Sequence, residues 1–167
     1  VAGSLMAIWG EALAELDDLE GARHQVRRGV KLAERGGDMA MLGWSYLCLA
    51  RVLFSSGDWA GVQELVQKTQ SLARESSLPP WVVRQMATWQ VRIWLEQGEL
   101  DAAVKWARES GLDAGRASQP PHEMDFFQLF EQIMLARVLL AQDRLEEASE
   151  LLQRLIEPAQ AQDRTTR

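Results

Sequence analysis

Four reversals of the chain recur at a nearly constant spacing, and this period constrains the fold more than any other feature. The predicted reversals lie at Asp17, Gly57, Gly98 and Asp143, which are 40, 41 and 45 residues apart. Apolar residues at helical spacing precede and follow each reversal, so each one joins two predicted helices. A period of this length is typical of proteins built from stacked, similar units. The sequence therefore predicts repeated helix pairs.

The residues around the reversals also match column by column. A small or medium residue stands seven positions before each reversal, and another stands five positions after it. The first column contains Gly10, Ala50, Val91 and Ala136, and the second contains Ala22, Val62, Ala103 and Ala148. Helix axes approach more closely where the contacting side chains are small. We therefore expect both columns to be buried where the two helices of a pair meet.

The composition supports a helical, soluble chain and argues against several classes of protein. The chain is 47% hydrophobic and 25% charged, as is common for globular proteins. Its net charge of −6 predicts no direct contact with nucleic acid. Cys48 is the only cysteine, which excludes a disulfide framework or a cysteine metal site. No apolar stretch has membrane-spanning length and no signal peptide is visible, so we expect a cytoplasmic protein without membrane contact.

These patterns predict an all-α fold, a right-handed α-solenoid of about four antiparallel helix pairs. The predicted repeats cover residues 1–37, 38–79, 80–122 and 123–167 of a single domain, 1–167. Pro79 and Pro80 separate the second and third repeats because proline is tolerated in the first turn of a helix. Residues 111–124 are predicted to form a surface loop. Pro158 is expected to stop or kink the last helix. The alternative fold is a closed helical bundle.

Three segments carry a resemblance to a known family. They are WLxxG at 94–98, AxxWAxxSGL at 103–112 and ARVLLAQ at 136–142. They resemble the tetratricopeptide-like sensor region of the MalT-like, ATP-dependent LuxR-type transcriptional regulators. In that family the region lies between an N-terminal nucleotide-binding domain and a C-terminal helix-turn-helix. The chain also begins inside a helical pattern at Val1, which suggests a fragment of such a regulator.

The resemblance implies a domain that senses a small-molecule inducer or a regulatory protein and contacts other domains of the same chain. ATP would be bound by the separate N-terminal domain, and no phosphate-binding P-loop motif occurs here. We therefore expect no cofactor and no enzymatic activity in this region. The two histidines lie in different repeats without further ligands, so no metal site is expected either. The alternative function is a stand-alone tetratricopeptide-like adaptor that binds a peptide or protein in its concave groove.

The first helix of each pair lines the concave surface in solenoids of this type, which identifies candidate groove positions. The predicted ligand or partner groove consists of Trp44, Arg51, Thr88, Arg92, Phe130 and Arg137. Together with them, the inner columns include Leu47, Phe54, Gln85, Leu95, Ile133 and Leu140. Trp81 and Trp89 belong to no repeat column and could also face a groove. In contrast, Trp59, Trp94 and Trp106 occupy repeat-core columns and are expected in interhelix packing.

Three arginines, Arg51, Arg92 and Arg137, occupy the same column, six residues before a reversal. Stacked first helices would place them as a row, in which the like charges require counter-charges. In one interpretation the carboxylates of neighbouring helices supply these charges, with Glu11, Glu96 and Glu131 as candidates. In the other, the arginines face an anionic or polar ligand between aromatic walls.

Overall fold

Eight α-helices, joined in pairs, make up the described part of the chain. A computed structural model of the protein describes residues 2–75, 78–112 and 126–165, which form no strand. In chain order the helices are α1 (Ala2–Glu15), α2 (Leu19–Gly36), α3 (Met39–Ser55), α4 (Trp59–Glu75), α5 (Pro80–Gln97), α6 (Leu100–Glu109), α7 (Phe126–Ala141) and α8 (Leu145–Thr165). The predicted all-α fold of four helix pairs is confirmed.

Each predicted reversal is a tight turn that contains one residue in the left-handed conformation. The φ angles are 64° at Asp17, 71° at Gly57, 75° at Gly98 and 61° at Asp143. Glycine adopts this conformation without steric cost, and aspartate is among the few other residues that visit it. The four turns are therefore equivalent although two of them contain no glycine.

Aspartates fix the starts of three helices. The side chains of Asp18, Asp38 and Asp58 each accept a hydrogen bond from the backbone N–H three residues later, at 2.9, 3.0 and 3.0 Å. A side-chain acceptor at this position satisfies a backbone donor that has no partner within the helix. These caps define where α2, α3 and α4 begin.

Both columns of small residues are buried, as predicted. The relative exposure is 0% for Ala22, Val62, Ala103 and Ala148, and at most 2% for Ala50, Val91 and Ala136. The remaining member, Gly10, is also buried, and a Cβ atom there would lie 2.9 Å from the carbonyl oxygen of Ala22. The helices α1 and α2 are therefore close enough at this point that only glycine fits.

The tryptophan predictions are confirmed in part. Trp94 and Trp106 are partly buried and pack against a hydrophobic cluster. Trp59 was expected in the interhelix core, but 37% of it is exposed. Trp59 is the first residue of α4, and Leu145, the first residue of α8, is 58% exposed. Both of these side chains lie at the end of a helix pair, where solvent replaces one neighbour.

Helix α8 does not end at Pro158, in contrast to one of the two outcomes expected from the sequence. The helix runs from Leu145 to Thr165. Proline fixes φ at a value that a helix accepts, although it removes one backbone hydrogen bond. The surrounding alanine and glutamine residues are good helix formers, which favours continuation of the helix.

The chain divides into two compact units, Val1–Gln90 and Val91–Arg167. In unit 1, α1, α2 and α3 share a buried cluster that consists of Ala7, Ala22, Val26, Cys48 and Val52. In unit 2, the buried cluster consists of Val91, Ala103, Ala107, Leu135, Ala136, Val138, Leu139, Ala148 and Leu151. The predicted single domain stays a prediction. Residues 113–125, with most of the predicted loop and one repeat boundary, lie outside the described residues.

Candidate functional site

The second repeat presents four predicted groove positions on one side of α3, which we call the α3 face. It consists of Trp44, Leu47, Arg51 and Phe54. Trp44, Leu47 and Phe54 are half-buried, and 49% of the Arg51 side chain is exposed. An aromatic ring, an aliphatic side chain and a guanidinium group therefore reach solvent from the same helix.

Carboxylates of α1 already neutralise the charged member of the α3 face. Arg51 lies 3.5 Å from Glu11 and also forms an ion pair with Glu15. Glu11 in turn accepts a hydrogen bond of 3.3 Å from the thiol of Cys48, and burial and this carboxylate raise the pKa of the thiol. Arg51 is thus held by its own unit, which matches the interpretation that assigns Glu11 as a partner.

Two aromatic pairs connect the α3 face to the first part of α5. The ring centroids are 6.1 Å apart for Trp44 and Trp81, and 5.6 Å apart for Phe54 and Trp89. The rings are tilted by 59° and 51°, within the range of favourable aromatic contacts. These tryptophans, which have no repeat column, therefore pack against the groove positions of the preceding first helix.

Two predicted groove residues lie on α5, and neither is presented openly to solvent. Thr88 is 4% exposed and its hydroxyl donates a hydrogen bond of 2.7 Å to the carbonyl oxygen of Gln85. Arg92 is partly buried in unit 2. The groove positions of the third repeat are thus less accessible than those of the second.

The fourth repeat presents its groove positions on α7, and we call this surface the α7 face. It consists of Phe130, Ile133, Arg137 and Leu140. Phe130 is 37% exposed, Leu140 is 47% exposed, and Arg137 is exposed. None of the ion pairs among the described residues includes Arg137. The α7 face therefore combines an accessible cation with accessible apolar surface on both sides along the helix.

The predicted row of three arginines divides between the two units. Arg51 belongs to unit 1, and Arg92 and Arg137 belong to unit 2. The row stays a prediction. The α3 face and the α7 face are each complete within one unit and can be compared residue by residue.

Sequence reasoning missed a polar cluster on the opposite side of α3. The hydroxyl of Tyr46 donates a hydrogen bond of 3.1 Å to Glu34, and Lys68 lies 2.6 Å from the same carboxylate. The hydrogen bond from Lys68 lowers the pKa of Glu34, and the same bond raises the pKa of Lys68. Because the cluster joins α2, α3 and α4 through positions that do not recur, no repeat pattern could reveal it.

The described residues contain no group of three histidine, cysteine, aspartate or glutamate side chains that could hold a metal ion. None of the described helices is long and apolar enough to cross a membrane. The arrangement offers recognition chemistry: aromatic and aliphatic surface beside guanidinium groups.

Comparison with known proteins identifies one family. The family described as the MalT-like TPR region matches residues 1–167. No curated protein and no solved structure matches the chain.

Proposed function

This chain belongs to the MalT-like TPR-region family, and from that premise we propose that it is the effector- or partner-sensing region of a cytoplasmic LuxR-type transcriptional regulator. The observation that carries the proposal is the family match over all 167 residues. Helical repeats of this kind provide extended binding surfaces. In this proposal the region itself is non-catalytic, and a separate N-terminal domain of the regulator binds ATP.

We infer that the α7 face makes the contact with the effector or partner. Arg137 is exposed, and Phe130 and Leu140 stand on either side of it along the helix. This combination suits a partner that presents an anionic or polar group next to an apolar one, because guanidinium and aromatic groups then act together. The α3 face has the same residue types, but Glu11 and Glu15 already occupy Arg51.

Transcript profiling of cells tests the proposal without knowledge of the effector. A strain that lacks the gene is compared with strains that carry the wild-type gene, Arg137→Glu, or the matched control Arg108→Glu on the exposed surface of α6. We expect the deletion to change a defined set of transcripts. Arg137→Glu should reproduce that change at normal protein level, and Arg108→Glu should not.

Two results would contradict the proposal in different ways. If the deletion leaves the transcripts unchanged while the tagged chain recovers a partner, the stand-alone adaptor is the better description. If the transcripts change on deletion but Arg137→Glu behaves as wild type, the regulator remains and the α7 face is not its contact surface.

A further inference from the structure

The exposed side of α2 carries a concentration of positive charge that the net charge of the chain conceals. Arg23, Arg27, Arg28 and Lys31 line one shallow cleft together with Glu20 and His24. We call the four cations the α2 basic face. Arg27, Arg28 and Lys31 are exposed, and Arg23 is partly exposed. A chain with a net charge of −6 therefore has a strongly cationic surface within a single helix.

These cations form no ion pair in the described part of the chain. The carboxylate of Glu34, on the same helix, is bonded by Lys68 and Tyr46, and the charge of Lys31 also lowers its pKa. Among the described residues, Glu20 is the only carboxylate that lines the cleft, so positive charge dominates it.

The fold does not require this charge. The same four columns hold Gln63, Gln67, Lys68 and Ser71 in α4, and Ser149, Gln153, Arg154 and Glu157 in α8. Each of those helices thus has one cation in these columns, and both are helical. Like charges four residues apart, as in Arg23, Arg27 and Lys31, destabilise a helix. The concentration on α2 is therefore unfavourable for the helix alone, and a bound anion would relieve it.

The spacing of the cations fits a chain of phosphates. Residues four apart in a helix are separated by about 6 Å along its axis, so Arg23, Arg27 and Lys31 span about 12 Å. Duplex DNA offers one negative charge per about 1.7 Å, or about seven phosphates over that length. Arginine, which supplies three of the four cations, bonds phosphate oxygens through two N–H groups at once.

The surroundings of the α2 basic face favour nucleic acid over an acidic protein. Interfaces between proteins depend on buried aromatic or aliphatic anchors, whereas contacts with the phosphate backbone need none. Helix α2 contains no phenylalanine, tyrosine or tryptophan, and Leu32, at 38%, is its one large hydrophobic residue that is exposed. A single leucine also gives too little apolar surface for insertion into a membrane.

We propose that the α2 basic face binds the phosphate backbone of nucleic acid without reading its sequence. The net charge predicts the opposite because it averages over the whole surface. Backbone contacts are made locally, within the screening length of about 10 Å at moderate salt. The proposal goes beyond the sensing role and does not depend on it.

The test measures binding of the 167-residue chain to a fluorescein-labelled duplex of about 30 base pairs by anisotropy. Three to four phosphate contacts predict that affinity falls roughly 100-fold between 50 and 200 mM salt. The variant Arg27→Gln/Arg28→Gln/Lys31→Gln should bind at least tenfold more weakly, with a smaller salt dependence. Labelled double-stranded RNA, in a parallel arm, distinguishes the two nucleic acids that share this chemistry.

A matched control separates the α2 basic face from a general charge effect. Arg74→Gln/Lys105→Gln/Arg108→Gln removes the same charge from exposed positions elsewhere and should bind within threefold of wild type. Circular dichroism melting confirms that both variants are folded. Equal weakening by the two variants, or no binding of either nucleic acid by wild type at 50 mM salt, overturns the proposal. So does tighter binding to polyglutamate or to vesicles of anionic lipid than to nucleic acid, because the partner is then of another class.

Discussion

Helices α3 and α7 occupy equivalent places in the second and fourth repeats, yet they present the same kinds of residues to different surroundings. Both faces have an aromatic, an aliphatic, an arginine and an apolar residue at identical distances from the turn. On α3, carboxylates from α1 hold Arg51. On α7, Arg137 is exposed, and no described carboxylate forms an ion pair with it. Equivalent sequence positions therefore do not imply equivalent availability for a ligand.

The buried sides of the two helices differ in the same way. Tyr46 and Gln132 both stand eleven residues before the turn, and they are 1% and 7% exposed. The hydroxyl of Tyr46 has a partner in Glu34, whereas no donor among the described residues reaches Oε1 of Gln132. A buried polar atom without a hydrogen bond destabilises the folded state. We therefore expect the polar group to be stabilising in α3 and costly in α7.

The largest expected effect concerns the buried column of small residues seven positions before each turn, which contains Ala50 in α3 and Ala136 in α7. Ala50→Leu and Ala136→Leu should each lower the free energy of unfolding by about 1–3 kcal/mol, because neither packed helix pair has room for the added volume. Urea denaturation measures both, and Ala141→Leu at an exposed position is the control. If only one of the two variants has a lower free energy of unfolding, the two helix pairs are not packed alike.

Replacing the buried polar side chains of Tyr46 and Gln132 should change the stability of the protein in opposite directions. Tyr46→Phe is expected to cost about 1 kcal/mol, because Glu34 loses a hydrogen-bond donor. Gln132→Met, which keeps the volume, should leave stability unchanged or raise it by up to about 1 kcal/mol. Thermal melting of the two single variants checks the signs. Equal destabilisation would mean that Gln132 has a partner in the folded protein.

Replacing Arg51 and replacing Arg137 should change stability by amounts that differ less. Arg51→Met is expected to cost about 0.5–1 kcal/mol, since the ion pairs with Glu11 and Glu15 are half exposed to solvent. Arg137→Met should change stability by no more than about 0.5 kcal/mol. A double-mutant cycle between Arg51 and Glu11 isolates the interaction, and a coupling near zero would remove the proposed difference between the two faces.

The smallest effect depends on pH and concerns the ion pair between Glu34 of α2 and Lys68 of α4, beside Tyr46 of α3. The pKa of Glu34 is lowered in the folded state, so its pairing with Lys68 stabilises the protein above the ordinary pKa of 4.5 and is lost as pH falls through the lower, folded-state pKa. Lys68→Met should therefore cost about 0.5 kcal/mol at pH 7 and almost nothing at about pH 2–3. Melting curves across this range test it, with Lys105→Met as the control. A cost that persists in acid would point to lost packing instead of lost charge.

The sequence predicts the turns and the buried columns well, because a repeat period directly records which side chains face a neighbouring helix. Asp17 and Asp143 were placed in turns by their column although neither is glycine, and both have positive φ. The state of Arg51 and Arg137 could not be predicted in the same way. Whether each arginine is paired depends on which residues the adjacent helix places next to it, and the repeat period does not record those residues. The α2 basic face was missed because the net charge is a sum over the whole chain and does not show where the charged residues lie.

Because Cys48 forms a hydrogen bond with Glu11, the single thiol of this chain can report on the opening of the contact between α1 and α3. The thiol is buried, its pKa is raised, and its carboxylate partner belongs to the neighbouring helix α1. A thiol in this state reacts slowly with alkylating reagents, because the thiolate is the nucleophile. We therefore expect modification to occur when α1 separates from α3. The rate of labelling at a saturating reagent concentration then gives the opening frequency of this helix contact without any engineered probe.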